Sequence, residues 1–361
     1  RLWLLAGAFQ NKPAAPEPLR GEEAPRVVIL APMRNEAERA DMLLGALERL
    51  EYPRDRLRIM LGDDASTDGT AARLAAWAGG RPEAALCASA QKLGKAEMMN
   101  RLLAAEPGPP APFIAVYDAK HAPEPESLGI LAAVLRDARA GAAAGRLEPR
   151  NARAGLAARY AALEFWVTQL IGYEGRERRG LSSPAKGGNV LYRRAALEQA
   201  GGFRTGALSE DTEILLALAR AGWRPHFVQE ARAGVLAPET AAEFWNQRLR
   251  WNQGLYDAPR HARHAGAWAA AAGYADRLAL LAAAGFAAAG VLPWWVPAGY
   301  ALPPALMCAA AISRAGAWRD APGILLAVCV MLPLDVAVSV WGALMAAAGR
   351  SPAWRDEDGA A

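Results

Sequence analysis

The chain of 361 residues carries 41 Lys and Arg against 37 Asp and Glu, a formal net charge of +4. That excess is too slight, and too lacking in basic runs interleaved with aromatics, for a nucleic-acid-binding protein, and the length implies a core domain with an appendage. The 3 cysteines show no C-x-x-C or Cys/His spacing, which excludes a disulfide framework and a structural zinc site and suits a reduced, cytoplasmic setting.

Residues 2–9 are apolar but too short to cross a bilayer, so segment 1–10 is expected to be the end of a truncated transmembrane helix. Residues 11–26, rich in Pro and charge, read as a linker. Residues 27–31 are a short β-branched run stopped by Pro32, the signature of a buried strand. Over 36–50, Met42, Leu43, Leu47 and Leu50 recur at helical spacing. A second strand over 57–61 ends at Gly62-Asp63-Asp64, and Ser66-Thr67-Asp68-Gly69 makes a turn that caps the next helix. Residues 84–88 are a third strand, Gly94 opens a helix through Leu103, and 113–117 form a fourth strand that delivers Asp118. This alternation predicts a parallel, doubly wound α/β sheet, whose ligands bind outside the carboxyl ends of the strands. Pro32, Glu36, Asp63, Asp64 and Asp118 all fall there. One such aspartate is most simply a helix cap; several strand ends in succession argue for a site.

Further on the chain changes character. Arg260, His261, Arg263 and His264 cluster just before an apolar region, as the positive-inside rule expects of a cytoplasmic flank. Residues 278–313 carry no charge, and 321–349 only Asp335. A helix needs ~20 apolar residues to cross a bilayer. The second stretch is therefore one span. The first, broken at Pro293-Trp294-Trp295-Val296-Pro297, reads as two short or tilted helices, giving about three spans over 276–349. The alternative is a buried bundle in a soluble protein.

Neither G-x-G-x-x-G after the first strand nor a P-loop is present, which removes the usual support for dinucleotide or P-loop chemistry. In their place stand Ala31-Pro32-Met33-Arg34-Asn35-Glu36, Gly62-Asp63-Asp64, Lys92-Leu93-Gly94-Lys95-Ala96 and Tyr117-Asp118-Ala119-Lys120. Gly187-Gly188-Asn189, Ser209-Glu210-Asp211 and Gln247-Arg248-Leu249-Arg250-Trp251 follow. Gln247, Arg250 and Trp251, spaced by three and four positions, share one face of a helix. Taken alone, that pattern also fits an amphipathic interface helix with an aromatic anchor.

In the order of these motifs the chain resembles the family 2 glycosyltransferases, specifically the membrane-embedded branch with the cellulose and hyaluronan synthases. The resemblance runs from Val27 to Gly254. It implies a GT-A-type, Rossmann-like domain over 22–245, interface helices over 246–275 and the membrane region behind. Pro32, Glu36, Asp63 or Asp64, and Lys95 would hold the nucleotide, and Asp118 the metal. Asp211 would be the general base, with Glu210 beside it in the catalytic group and Asn189 a further candidate. Gln247, Arg248, Arg250 and Trp251 would serve the diphosphate and the acceptor. The implied reaction is inverting transfer of a hexose from a nucleoside-diphosphate sugar, a UDP-sugar first, to a growing polysaccharide. It would take place on the cytoplasmic face of the inner (plasma) membrane, in a multi-pass protein contacting membrane lipids. A lipid acceptor, as for ceramide glucosyltransferases, and a non-catalytic nucleotide- or glycan-binding protein are the alternatives.

One position departs from the family pattern. Where Asp-x-Asp is expected the chain has Asp118-Ala119-Lys120, and an ammonium cannot ligate Mg²⁺ or Mn²⁺. Asp118 would then hold the cation with diphosphate and water, or Lys120 would replace it in part. His121 is either an Mn²⁺ ligand or an exposed loop histidine.

Overall fold

The structure, a computed structural model, describes residues 2–10, 15–182, 187–206, 210–262 and 265–348, without the side chains of 253–274 and 346–347. Ser209 and the side chains of the basic cluster at 260–264 lie outside this description. In chain order the elements are α1 (Leu2–Ala8), β1 (Val27–Met33), α2 (Ala40–Glu48), β2 (Leu57–Asp64), α3 (Thr70–Ala78), β3 (Ala84–Ser89) and α4 (Lys95–Ala104). Then come β4 (Phe113–Val116), β5 (His121–Pro123), α5 (Ser127–Val134), β6 (Ala140–Pro149) and α6 (Leu156–Trp166), which continues as a π-helical stretch, Val167–Tyr173. After α7 (Glu174–Glu177), β7 (Val190–Arg193), α8 (Arg194–Gln199), α9 (Glu210–Arg220) and β8 (Arg224–Val235) come the long helices α10 (Ala241–Ala262), α11 (Ala265–Ala288), α12 (Trp295–Arg314) and α13 (Ala321–Ala347).

The chain divides into two compact units, a sheet unit of residues 10–150 and 176–236 and a helical unit of 1–9, 151–175 and 237–361. Segment 151–175 thus belongs with the C-terminal helices, although a single domain over 22–245 would have included it.

In the sheet unit the strands run in the order β3-β2-β1-β4-β7-β6-β8-β5. β3, β2, β1 and β4 are parallel, as the alternating pattern predicts. The remainder departs from an all-parallel sheet: β7 is antiparallel to both β4 and β6, β8 is parallel to β6, and β5 is antiparallel to β8. The β1 and β2 side chains Ile29, Leu30, Ile59, Met60 and Leu61 are almost wholly buried, so both sheet faces are covered and the strands read as continuous apolar runs. The β6–β8 register shifts between Gly145 and Arg146. There Asn189 Nδ2 donates to Ala231 O at 3.0 Å, the Gly145 N–H donates to Asn189 O at 2.8 Å, and a Cβ on Gly145 would collide with both partners. Asn189, fully buried, is the fastener of this bulge.

The helix expected over 36–50 starts only at Ala40. Its intended first turn is committed elsewhere: Asn35 has a left-handed φ of 51°, and the Glu36 and Ala37 N–H groups donate to Thr70 Oγ1 and Asp68 Oδ2.

In the helical unit α13 packs on α10 and α6. Tyr160 meets Phe244 edge-to-face at 5.6 Å over Ala327 and Met331, while Leu163, Trp166 and Ile171 cluster with Met307, Ile312 and Ile324. The expected break in the first apolar stretch falls between α11 and α12, where Gly290 has a φ of 74° and Pro293 follows. Among the described residues 2 helices, Trp295–Arg314 and Trp318–Met345, are long and apolar enough to cross a membrane. Trp295, Leu302, Leu306, Leu325, Leu326 and Leu344 are exposed along them.

Candidate active site

Parallel pairing brings the carboxyl ends of β1, β2 and β4 to one edge, with Met33 opposite Asp63. Gly62 lets α4 lie close over β2, since a Cβ there would come within 2.8 Å of Met98 Cγ. The two aspartates that follow are employed differently. Asp64 accepts the Leu93 N–H at 2.6 Å and the Gly94 N–H at 2.9 Å, one on each oxygen, and so pins the loop that opens α4. Asp63, only 3% exposed, has a long 3.4 Å contact from the Ser66 N–H on Oδ2, and its buried Oδ1 has no partner. A buried carboxylate oxygen without a donor carries a large desolvation cost, which a ligand N–H or O–H would offset. Pro32, next to last in β1, pairs with Gly62, and the partly buried Glu36 pairs with Arg39 at 3.4 Å.

Gly94, with a φ of 88°, turns the chain into α4 and sets Lys95 at its first position. Lys95 Nζ lies 2.6 Å from Asp118 Oδ1, just beyond β4, and 2.7 Å from Glu210 Oε1 in the first turn of α9. Burial alone would lower the Lys95 pKa, but Asp118, Glu210 and Asp211 outweigh it and hold the ammonium well above its ordinary value. Burial pushes the other way at Asp118, where Lys95, His121 and Lys120 together keep the carboxyl well below the usual range. Glu210 is pushed up by burial and by Asp211, against the pull of Lys95.

Asp211 Oδ2 accepts the Gly187 N–H at 2.8 Å and Oδ1 accepts the Thr212 N–H at 2.7 Å. Carboxylates in a first helical turn also gain from the helix dipole. Gly187 is required for this approach, because a Cβ there would run into the Asp211 side chain.

His121 is not an exposed loop histidine. It opens β5, is 2% exposed, and its Nδ1 accepts the Asp118 N–H at 3.2 Å, which leaves the ring proton on Nε2. Burial, joined by Lys120 and Lys95, pushes its pKa down to about 4. Gly188, with a φ of 105°, lies against the ring, where a Cβ would collide with it.

Among the described residues no group of 3 or more His, Cys, Asp or Glu converges as a metal-binding set. Asp118 and Glu210 nonetheless direct one carboxylate oxygen each at a common point, presently the Lys95 ammonium. Oxygen donors of this kind suit a hard divalent cation, with diphosphate and water completing the shell.

Gln247, Arg248, Arg250 and Trp251 lie on α10, in the helical unit. Gln247, Arg250 and Trp251 are partly exposed, and Gln247 Oε1 is buried without a hydrogen-bond partner. Arg248 is 4% exposed and sits over the rings of Phe244 and Trp251, each at 4.7 Å. It is bonded to Glu164 of α6, and Arg277 of α11 bridges Glu164, at 2.9 Å, to Asp335 of α13. The Tyr160 hydroxyl donates to Asp335 at 3.0 Å. The fully buried Asp335 in an apolar stretch is thereby neutralised. Sequence reasoning singled out Asp335 but not Glu164 or Arg277, whose positions in ordinary helical stretches give no signal.

A family model described as glycosyltransferase like family 2 matches residues 25–254. The probable glycosyltransferase YdaM of Bacillus subtilis is 30% identical over 237 residues, 64% of this chain and 56% of its own. The probable glucomannan 4-beta-mannosyltransferase 7 of Oryza sativa subsp. japonica is 26% identical over 254 residues, 68% of this chain and 42% of its own. This chain therefore spans about half the length of the curated relatives it matches. Mannosyltransferase PcManGT from Pyrobaculum calidifontis, solved in complex with GDP-Man and Mn²⁺, superposes with a TM-score of 0.62 at 22% identity, covering 96% of this chain and 93% of that one. That likeness is one of fold, the GT-A arrangement.

Proposed function

From the premise that this chain belongs to glycosyltransferase-like family 2, we propose that it moves a hexose from a nucleoside-diphosphate sugar to a growing polysaccharide at a membrane, with inversion at the anomeric carbon. The observation that carries the donor side is the pairing of an unpartnered, buried Asp63 Oδ1 with the Lys95–Asp118–Glu210–Asp211 cluster on one sheet edge. Asp63, near the end of β2, and Asp118, just past β4, belong to strands separated by one other, about 10 Å apart at the usual strand spacing. A nucleoside diphosphate laid along the edge would meet Asp63 with its base, Pro32 with its ribose and Lys95 with its phosphates. The imide N3–H of uracil and the lactam N1–H of guanine both suit the Asp63 acceptor, so UDP- and GDP-sugars are the candidate donors.

Asp211 is the base in this reading. It takes the proton of the acceptor hydroxyl as that oxygen attacks the anomeric carbon, and the bond to the diphosphate breaks with its electron pair leaving on the phosphate oxygen. A single displacement without an enzymic nucleophile inverts the configuration. Lys95 offsets charge on the leaving diphosphate. A divalent cation held by Asp118, with Glu210 in reach, would add Lewis-acid stabilisation of the same leaving group. Gln247, Arg250 and Trp251, on α10 of the helical unit, keep the role that their motif implies by resemblance, the indole offering a face on which a sugar can stack.

The membrane assignment is supported by the apolar helices α12 and α13 and their exposed Trp and Leu side chains, and a cytoplasmic catalytic unit of an inner-membrane protein is the placement proposed with it. The deciding experiment offers a panel of UDP- and GDP-sugars to membranes containing the protein and analyses the product by size and linkage. One donor should be consumed with formation of polymer. A product limited to one or two sugars on lipid would change the acceptor, and no consumption above membranes lacking the protein would overturn the reading.

A further inference from the structure

Lys95 stands where a cation would be needed. Its Nζ contacts Asp118 Oδ1 at 2.6 Å and Glu210 Oε1 at 2.7 Å, and it feels Asp211 as a third negative charge. The neighbouring groups offer little else to a metal. Lys120 occupies the second acidic position, and the His121 Nδ1 is already taken by the Asp118 N–H. A divalent ion and an ammonium cannot both sit against Asp118 Oδ1, because at such distances in a partly buried site their repulsion is poorly screened.

We propose that Lys95 is the resident counter-cation of this site, filling the place of a divalent ion until a diphosphate arrives and takes over the ammonium. The inference rests on the donor-site reading above. An ammonium binds a diphosphate well as a point charge. Once Lys95 turns to the phosphates, Asp118 and Glu210 are released as oxygen donors, and the diphosphate itself supplies more of the shell a hard cation requires. Lys95 thus imposes an order: the divalent ion enters with or after the nucleotide and does not preload. It also gives the carboxylate cluster a neutralising partner in the resting protein, where Asp118, Glu210 and Asp211 would otherwise repel one another.

The test measures Mn²⁺ binding directly, from the paramagnetic resonance signal of free Mn²⁺, on the full chain in detergent. Wild type, Lys95→Met and Lys95→Arg are titrated with Mn²⁺ alone and with Mn²⁺ plus UDP or GDP, and thermal melts establish that each is folded. If Lys95→Met is misfolded, Lys95→Gln, which can still donate to both carboxylates, replaces it. Without nucleotide, the neutral variant should bind Mn²⁺ about tenfold or more tighter than wild type, as expected when an adjacent like charge is removed. Lys95→Arg should stay as weak as wild type, and nucleotide should close most of the gap. Equal Mn²⁺ affinity of wild type and the neutral variant without nucleotide overturns the inference, as does tight binding by Lys95→Arg. A nucleotide without effect on any of the proteins counts against the donor-site reading, whereas the nucleotide-free comparison reports on Lys95 alone.

Discussion

Asp211 receives N–H donors on both carboxylate oxygens, from Gly187 and from Thr212, which fix its plane at the start of α9. Asp211→Asn keeps the size of the side chain and at least one of these bonds but removes the carboxylate proposed to accept the proton. Transfer should fall by ~10²–10⁴-fold with nucleotide affinity unchanged, checked by turnover at saturating donor beside calorimetric nucleotide binding. A variant retaining more than about a tenth of the wild-type rate would place the base elsewhere. The candidate residues were legible in sequence as acids at strand ends, but their division of labour was not. Asp63 and Asp64 are indistinguishable by pattern. Only the fold of the loop before α4, which spends both Asp64 oxygens on backbone N–H groups, leaves Asp63 as the carboxylate with an open oxygen. Likewise Asn189 sits in a motif yet spends its amide on Ala231, and His121 is drawn inside by β5 pairing with β8.

At the scale of elements, β1, β2 and β4 could be read because Val, Ile and Leu runs end in Pro, Gly or Asp. β6 could not: its Ala- and Gly-rich residues 140–145 have weak strand preference and are buried by their neighbours, and β8 carries charge along its length. The same holds for the ion network joining α6, α10, α11 and α13, whose members are far apart in sequence. There Arg248 and Arg277 face Glu164 and Asp335, with Asp335 wholly buried. Removing one partner strands its neighbour in an apolar bundle, at a cost of about 3–5 kcal/mol. Asp335→Leu and Arg277→Leu should each destabilise the protein by that order, and the double variant by clearly less than their sum. Denaturant unfolding in detergent, run as a double-mutant cycle, measures the coupling. Additive losses would show that the two side chains do not act as a pair.

For the whole molecule, the consequence of the two-unit division is that the catalytic sheet and the apolar helices cannot be parted by a single cut. The helical unit takes its chain from three places, 1–9, 151–175 and 237–361, so α6 and the π-helical stretch leave the sheet unit's chain after Arg150 and return it at Arg176. Within the helical unit α6 buries Tyr160, Leu163 and Trp166 against Phe244, Met307, Ile324 and Met331, partners supplied mostly by α10, α12 and α13. A fragment of residues 22–245, the extent a single-domain reading of the sequence suggests, keeps α6 and removes most of those partners. Each large apolar side chain so exposed forgoes roughly 1.5–3 kcal/mol of burial, and together they form the kind of contiguous apolar surface that drives association. The fragment is therefore expected to aggregate without detergent. A fragment of 15–236 in which a short Gly/Ser linker replaces 151–175 should instead be recovered soluble and monomeric, with its thermal transition intact. Size-exclusion chromatography of both fragments decides it. A soluble, monomeric 22–245 fragment would show that α6 finds its burial within the sheet unit and would overturn the two-unit division.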